Sequence, residues 1–272
     1  MDVGIVAQLG NERAHEVAEG IRETLGESTV VVDRATGEEI GGESREIAAM
    51  EDRDLLVSIG GDGTFLFTAR ECDTVPILGV NLGEVGFLNP VGPGAALETV
   101  DDVREAFEAG ESIVSMRLPR IETDGDDPDF GPAVNDILVH GPRRGIEPPA
   151  TFVVRVNDEP FVETAADGVL VATPIGSSAY NLSEGGPLVT PEVPAMICTL
   201  MAAEEPMPPL VCPRDATIEC TIEGVDRGVA IADGRVDLPV EPPETLRITT
   251  AANPLEIAGP PVEFFEALEK LE

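Results

Sequence analysis

A chain of 272 residues with 42% hydrophobic content is long enough to bury one large core or two modest ones without disulfides or structural metals, and that composition argues against disorder. Its 52 acidic residues against 17 basic ones give a formal net charge of -35, a field that repels nucleic acid, and no basic cluster is larger than the pair Arg143-Arg144. The acids are spread along the whole sequence and lysine occurs once, at Lys270, which looks like adaptation to high cytoplasmic salt, where a short Debye length screens self-repulsion.

The first hundred residues alternate short apolar runs with helical patterns. Val3 to Ala7, Thr29 to Val32, Leu55 to Ile59 and Ile77 to Val80 read as buried strands. Between the first two, Ala14, Val17, Ala18, Ile21 and Leu25 fall at helical spacing behind Asn11, a suitable N-cap. Strand and helix in alternation imply a parallel sheet with crossover helices. A further helix is expected over residues 95–109, with Leu97, Val100, Val103 and Phe107 on one face and Gly110 at its end.

Beyond Ser112 the pattern becomes a series of short strand-like runs punctuated by Pro, Gly and Asp: Ile113 to Leu118, Val134 to His140, Phe152 to Val156, Val169 to Ala172, Thr217 to Ile222, Val229 to Ala232 and Leu246 to Thr249. The segment Asp124 to Pro132 reads as an exposed acidic loop. Pro261 to Leu271 reads as a closing helix with Val262, Phe265, Leu268 and Leu271 on one stripe, docking back onto the protein. The expected organisation is an α/β domain with a parallel sheet over residues 1–110, a β-rich domain over 111–250, and a C-terminal segment over 251–272 that returns to the first domain.

Cys72, Cys198, Cys212 and Cys220 show no CxxC spacing, so buried reduced thiols are expected rather than a zinc or redox site. His15 and His140, the two histidines, support neither a Ser-His-Asp triad nor a metal cluster. The start of the chain has no basic segment ahead of an apolar run, and nowhere do eighteen apolar residues follow one another, so a soluble cytoplasmic protein without a membrane partner is expected.

Two segments carry chemistry. The run Leu55 to Thr64 is a buried strand that ends in Gly60-Gly61-Asp62-Gly63-Thr64 and leads into a helical pattern. Such a turn lets backbone N–H groups approach anionic oxygens, with a helix from about Thr64 adding its positive end, so it suits phosphate; no GKT or GKS follows, and it is not a Walker loop. Asp62 among these glycines is placed to accept a proton from, or to orient, an attacking hydroxyl; the plainer alternative is a turn aspartate capping the following helix. In the second segment, Asp167 to Pro187, a strand runs into a loop dense in Ser and Thr with Gly176 and Gly185-Gly186, a composition suited to a sugar or amide ligand. Tyr180, the single tyrosine, lies there, as a base-stacking ring or a half-buried packing aromatic.

These residues resemble the ATP-NAD kinase family. Gly60 to Thr64 is similar to its GGDGT motif, and Thr173 to Pro187 resembles its TPTGSTAYxLSxGGP signature, with Ile175 and Ser178 in place of two threonines. Gly79 to Leu88 resembles the GxNxGxLGFL run, and Asn135-Asp136 the Asn-Glu or Asn-Asp motif, so the likeness spans nearly the whole chain in order. GGDGT alone is shared with lipid kinases; the second motif is specific. The resemblance implies transfer of a phosphoryl group from ATP to the adenosine-ribose 2′-hydroxyl of NAD, with Mg²⁺ arriving on ATP.

Position by position, it implies Asp62 as general base, with Gly60, Gly61, Gly63 and Thr64 around it and Phe87 near the dinucleotide. Asn135 and Asp136 would meet the adenine and ribose side, and Asp167 the nicotinamide end. Ser178, Ala179, Tyr180, Asn181, Leu182 and Ser183 would line the pocket, with Ala202 nearby and Asp233 toward the second nucleotide. It also implies a homodimer or homotetramer, and leaves open polyphosphate as donor and NADH as acceptor. The sequence departs from the family in two places: Met201 to Pro209 lacks the usual proline-histidine pair, and Ala165 stands where an arginine is common. Those departures keep a non-catalytic dinucleotide sensor as an alternative, beside a lipid or sugar kinase sharing only GGDGT.

Overall fold

The computed structural model describes residues 1–26, 30–83, 86–124, 130–142, 149–205 and 207–269. Arg143-Arg144, Thr29, Lys270, Leu271 and most of the acidic loop therefore fall outside the described residues. The chain divides into two compact units, residues 1–118 with 255–272, and residues 119–254.

Unit 1 begins with β1 (Val3–Ala7), α1 (Glu12–Leu25), β2 (Val30–Asp33), α2 (Arg34–Ile40) and β3 (Ser44–Arg45). It continues with β4 (Leu55–Gly60), α3 (Asp62–Glu71), β5 (Ile77–Asn81), α4 (Ala96–Glu108) and β6 (Val114–Leu118). Among the described residues these strands build a seven-stranded sheet in the order β3-β2-β1-β4-β5-β18-β6, where β18 (Leu255–Ala258) arrives from the far end of the chain. The strands from β3 to β5 run parallel, β18 joins β5 in parallel, and β6 closes the edge antiparallel to β18.

β1, β4 and β5 are buried along their entire length because helices cover both faces, which is why they read as continuous apolar runs. Val3, Ile5, Leu55, Val57, Ile59, Leu78 and Val80 point into a core shared with α1 and α4. Asn11 caps α1 as expected, accepting from the N–H groups of Arg13 and Ala14. The buried face of α4 is Ala96, Val100 and Val103; Leu97, expected on that face, is 38% exposed, at its edge, where its side chain packs against Gly20 of α1.

Among the described residues, unit 2 contains two antiparallel sheets. One has the order β10-β9-β14-β17-β7, from β7 (Ile121–Thr123), β9 (Ala150–Val156), β10 (Glu159–Ala166), β14 (Ile218–Glu223) and β17 (Glu244–Thr250). The other has the order β13-β12-β11-β8-β15-β16, from β8 (Asp136–His140), β11 (Gly168–Ala172), β12 (Ala195–Met201), β13 (Leu210–Pro213), β15 (Gly228–Ala232) and β16 (Val236–Val240). Alternate residues of both sheets, among them Phe152, Val154, Ile218 and Cys220 from the first and Ile137, Val139, Val169 and Val171 from the second, form one core. The four cysteines are free and buried, and burial pushes the Cys198 thiol up to about 12.

Three features differ from the sequence-based reading. The run at Ile113 to Leu118 belongs with the first unit, because its partner is β18. Phe130, in the segment read as an exposed loop, is buried in the second core. The closing helix is short, α5 (Phe264–Leu268), and its inward residues are Phe264 and Ala267, leaving Phe265 74% exposed. Phe264 does dock back, its ring 5.8 Å from that of Phe87.

Candidate active site

In unit 1 the chain leaves β1 toward β2 on one side and resumes at β4 on the other, so the sheet order reverses between β1 and β4. Ligands of open α/β sheets bind beyond the carboxyl ends of the strands at such a point, and β4 delivers Gly60 to Thr64 there. Gly60 is required by closeness: a Cβ would lie 2.4 Å from Thr64 Oγ1 and 3.1 Å from Gln8 Cβ, at the end of β1. Gly61 is the exposed N-cap of α3, whose first N–H groups have no acceptor inside the helix and face outward with its positive end.

Asp62 is the first residue of α3 but does not cap it. Its carboxylate reaches to the loop after β5, where Oδ2 accepts from the Phe87 N–H at 3.0 Å and Oδ1 accepts from the Leu88 N–H at 3.2 Å and from Asn89 Nδ2 at 2.9 Å. The helix-capping alternative is thereby set aside. Gly86 opens the way for this approach, since a Cβ there would lie 2.0 Å from Asp62 Oδ1. The Phe87 ring in this loop also packs against that of Phe264. Asn89 went unremarked in the sequence, and its only signal was a polar residue following an apolar Phe-Leu pair.

In unit 2 the second set gathers at the ends of β8, β11 and β15. Asp233 accepts from the N–H groups of Val134 at 2.9 Å, Asn135 at 2.7 Å and Asp136 at 3.2 Å, so it fixes the Asn-Asp pair through its backbone. It does so from a φ of 48°, a left-handed conformation that costs energy outside glycine. Asp136 is 5% exposed, and burial, followed by the nearby Asp233 charge, pushes its carboxyl from near 3.8 up to about 7.

The loop after β11 is bound to the same place. Thr173 donates from its hydroxyl to Val134 O at 2.6 Å and from its N–H to Asn135 O at 2.8 Å. Gly176 lies so close that a Cβ would come 2.0 Å from Asn135 O. Asn181 is fully buried, its amide donating to Ser177 O and Pro187 O while its oxygen accepts from the Thr199 hydroxyl at 2.8 Å. Its side chain is thus spent on shaping the loop, as is that of Ser177, which bridges to the Val189 backbone. Ser178, 9% exposed, donates to Ile175 O.

The residues left facing outward on this loop are Tyr180, 40% exposed, and Ser183, with Ala179 and Leu182 half-buried. Burial pushes the Tyr180 hydroxyl above its ordinary value, and the charges of Glu184, Asp136 and Asp167 act in the same direction. Asp167, half-buried, donates its N–H to Met201 O, which places it beside Ala202, an exposed residue at a φ of 48°. The two departures from the family pattern also meet: the Glu204 N–H donates to Ala165 O at 2.8 Å. Among the described residues no three His, Cys, Asp or Glu side chains converge on a metal position, and no helix is long and apolar enough to cross a membrane.

Both halves of the chain have counterparts among known proteins. Residues 3–107 match the family model for the ATP-NAD kinase N-terminal domain, and residues 135–258 match that for the ATP-NAD kinase C-terminal domain. An NAD kinase of Natronomonas pharaonis is 47% identical over 272 residues, and one of Halobacterium salinarum is 48% identical over 282, each alignment spanning 100% of both chains. The crystal structure of an NAD kinase from Archaeoglobus fulgidus in complex with ATP matches with a TM-score of 0.77 at 26% identity, covering 98% of each chain. Yeast NADH kinase complexed with NADH matches in fold, with a TM-score of 0.81 at 24% identity over 100% of this chain and 87% of that one. With both halves matched and full-length relatives sharing nearly half of its residues, this chain belongs to the ATP-NAD kinase family.

Proposed function

We propose that the protein is an ATP-dependent NAD kinase, transferring the γ-phosphoryl group of ATP to the adenosine-ribose 2′-hydroxyl of NAD to give NADP and ADP. The observation that carries this reading is the Asp62 carboxylate, held by three donors beside the amino end of α3 at the switch point of a parallel sheet. As the 2′-oxygen bonds to the γ-phosphorus, its proton passes toward Asp62, and the bond to the β,γ-bridging oxygen breaks to release ADP. Phosphoryl transfer asks the protein mainly for positioning and charge stabilisation, which the outward N–H groups of Gly61, Asp62 and Gly63 supply.

Asn135 and Asp136 would hold the adenosine side of NAD and Asp167 the nicotinamide end. Ser178, Ala179, Tyr180, Leu182, Ser183 and Ala202 would shape the pocket, with Asp233 and Asn181 acting through the backbone and loop they fix. Magnesium would arrive on ATP, held largely by phosphate oxygens and water, and would neutralise charge on the transferring phosphates. A cytoplasmic homodimer or homotetramer completes the reading.

The test is NADP formation followed with an NADP-specific dehydrogenase. The wild-type chain is expected to turn over with Mg-ATP and NAD, and Asp62→Asn is expected to lose about 10²- to 10⁴-fold in kcat. Wild-type turnover in that variant overturns the assignment of Asp62. NAD binding by calorimetry without any product from the wild-type chain favours the sensor reading instead. Offering polyphosphate and NADH in the same assay settles donor and acceptor.

A further inference from the structure

Asn89 lies outside every motif that the resemblance supplied, and it is fully buried. Its Nδ2 donates to Asp62 Oδ1 at 2.9 Å, while its own Oδ1 has no hydrogen-bond partner among the described residues. Gly79 makes room for that oxygen, since a Cβ there would come within 2.4 Å of it. Turning the amide over would set its oxygen against the Asp62 carboxylate, so the carboxylate dictates the orientation. A buried amide with an unpaired oxygen is a poor choice for stability, and an apolar residue of the same size would serve the core better. What the amide contributes is its donor.

A carboxylate offers about four acceptor sites, two on each oxygen. Among the described residues Oδ1 of Asp62 is filled by the Leu88 N–H and Asn89 Nδ2, whereas Oδ2 receives the Phe87 N–H alone. We propose that Asn89 is a positioning residue for phosphoryl transfer: by saturating Oδ1 it leaves the open lone pair of Oδ2 as the acceptor for the substrate hydroxyl. This rests on the reading of Asp62 given above. The two backbone donors alone, one on each oxygen, would leave an open lone pair on both, so the carboxylate could offer either oxygen.

The experiment compares the full-length wild-type chain with Asn89→Leu and Asn89→Asp, measuring kcat, both KM values and melting temperature from pH 6 to pH 8.5. Asn89→Leu removes the donor at similar volume and is expected to lower kcat about 10- to 100-fold while the KM values for ATP and NAD stay within about threefold. Asn89→Asp sets two carboxyl groups face to face, and a proton shared by the pair restores a donor at low pH. Its kcat relative to wild type is therefore expected to rise about tenfold from pH 8.5 to pH 6, a change that a merely structural role would not produce. A kcat within twofold of wild type in Asn89→Leu, or a ratio for Asn89→Asp that stays flat with pH, overturns the proposal while leaving the kinase reading intact. Should Asn89→Leu not fold, the pH ratio of Asn89→Asp decides alone. Absence of NADP formation by the wild-type chain overturns the kinase reading and this proposal together.

Discussion

Asp233 accepts the backbone N–H of Asp136 at 3.2 Å, while burial, with the Asp233 charge added to it, holds that residue's own carboxyl up at about 7. Folded Asp136 therefore keeps its proton over a range in which the unfolded chain has released it, above about 3.9. The native state binds more protons in this window, so the contribution of Asp136 to stability is full below about pH 4 and lost as pH rises through 7. Asp136→Asn is expected to flatten this dependence and to be more stable than wild type at pH 8, by an amount on the order of a few kcal/mol. Urea unfolding at pH 5 and pH 8 checks it, and an unchanged pH slope in the variant refutes it.

The same carboxyl bears on substrate. If ribose hydroxyls donate to Asp136 they favour its ionised form, so NAD should bind more tightly at pH 8 than at pH 6 and binding at pH 7 should release a proton. Calorimetry in buffers of different ionisation enthalpy measures that release. Binding without proton release would remove Asp136 from the ribose.

Gly176 tests the tie between the tyrosine-bearing loop and the Asn-Asp pair. A methyl group there would meet only backbone, with Asn135 O at 2.0 Å and its Cα at 2.6 Å, so no side chain can yield. Gly176→Ala is expected to destabilise the protein by about 2–3 kcal/mol. A melting temperature equal to wild type would contradict the described contact.

Asn181 is predicted to matter for folding more than for ligand contact. Asn181→Leu strands the Thr199 hydroxyl and the carbonyls of Ser177 and Pro187, at a cost of about 3 kcal/mol. Asn181→Asp should fare no better, because its second oxygen faces those two carbonyls. Thermal unfolding distinguishes this from a direct ligand role, which would weaken NAD binding and leave the melting temperature unchanged.

The net charge of -35 carries a prediction of its own. Raising KCl from 0.1 M to 2 M should raise the melting temperature by on the order of 10 °C, because screening relieves repulsion among the acidic side chains. A melting temperature that did not rise would remove the case for salt adaptation.

Much of this protein is local information. The apolar runs of β1, β4 and β5 announce a sheet covered on both faces, and Asn11 ahead of an amphipathic stretch announces α1, because period and capping are properties of neighbours in sequence. The glycine-rich turn after β4 and the hydroxyl-rich loop after β11 were legible for the same reason, and their order along the chain gave the family. Strands such as Glu159–Ala166 and Leu255–Ala258 escaped notice: the first is half-exposed and carries a proline, the second is four residues long.

Tertiary structure decided what each side chain faces. Nothing near Asp62 in sequence says that its carboxylate leaves the helix it begins and crosses to Phe87, Leu88 and Asn89, or that Asp233 reaches back almost a hundred residues to the N–H groups of Asn135 and Asp136. Such bonds depend on which strands become neighbours, and pairing is set by the burial of whole faces rather than by any local pattern. Sequence alone settled the chemistry on offer, a carboxylate among glycines and a tyrosine among hydroxyls; folding settled which donors hold that carboxylate and which carboxyl keeps its proton.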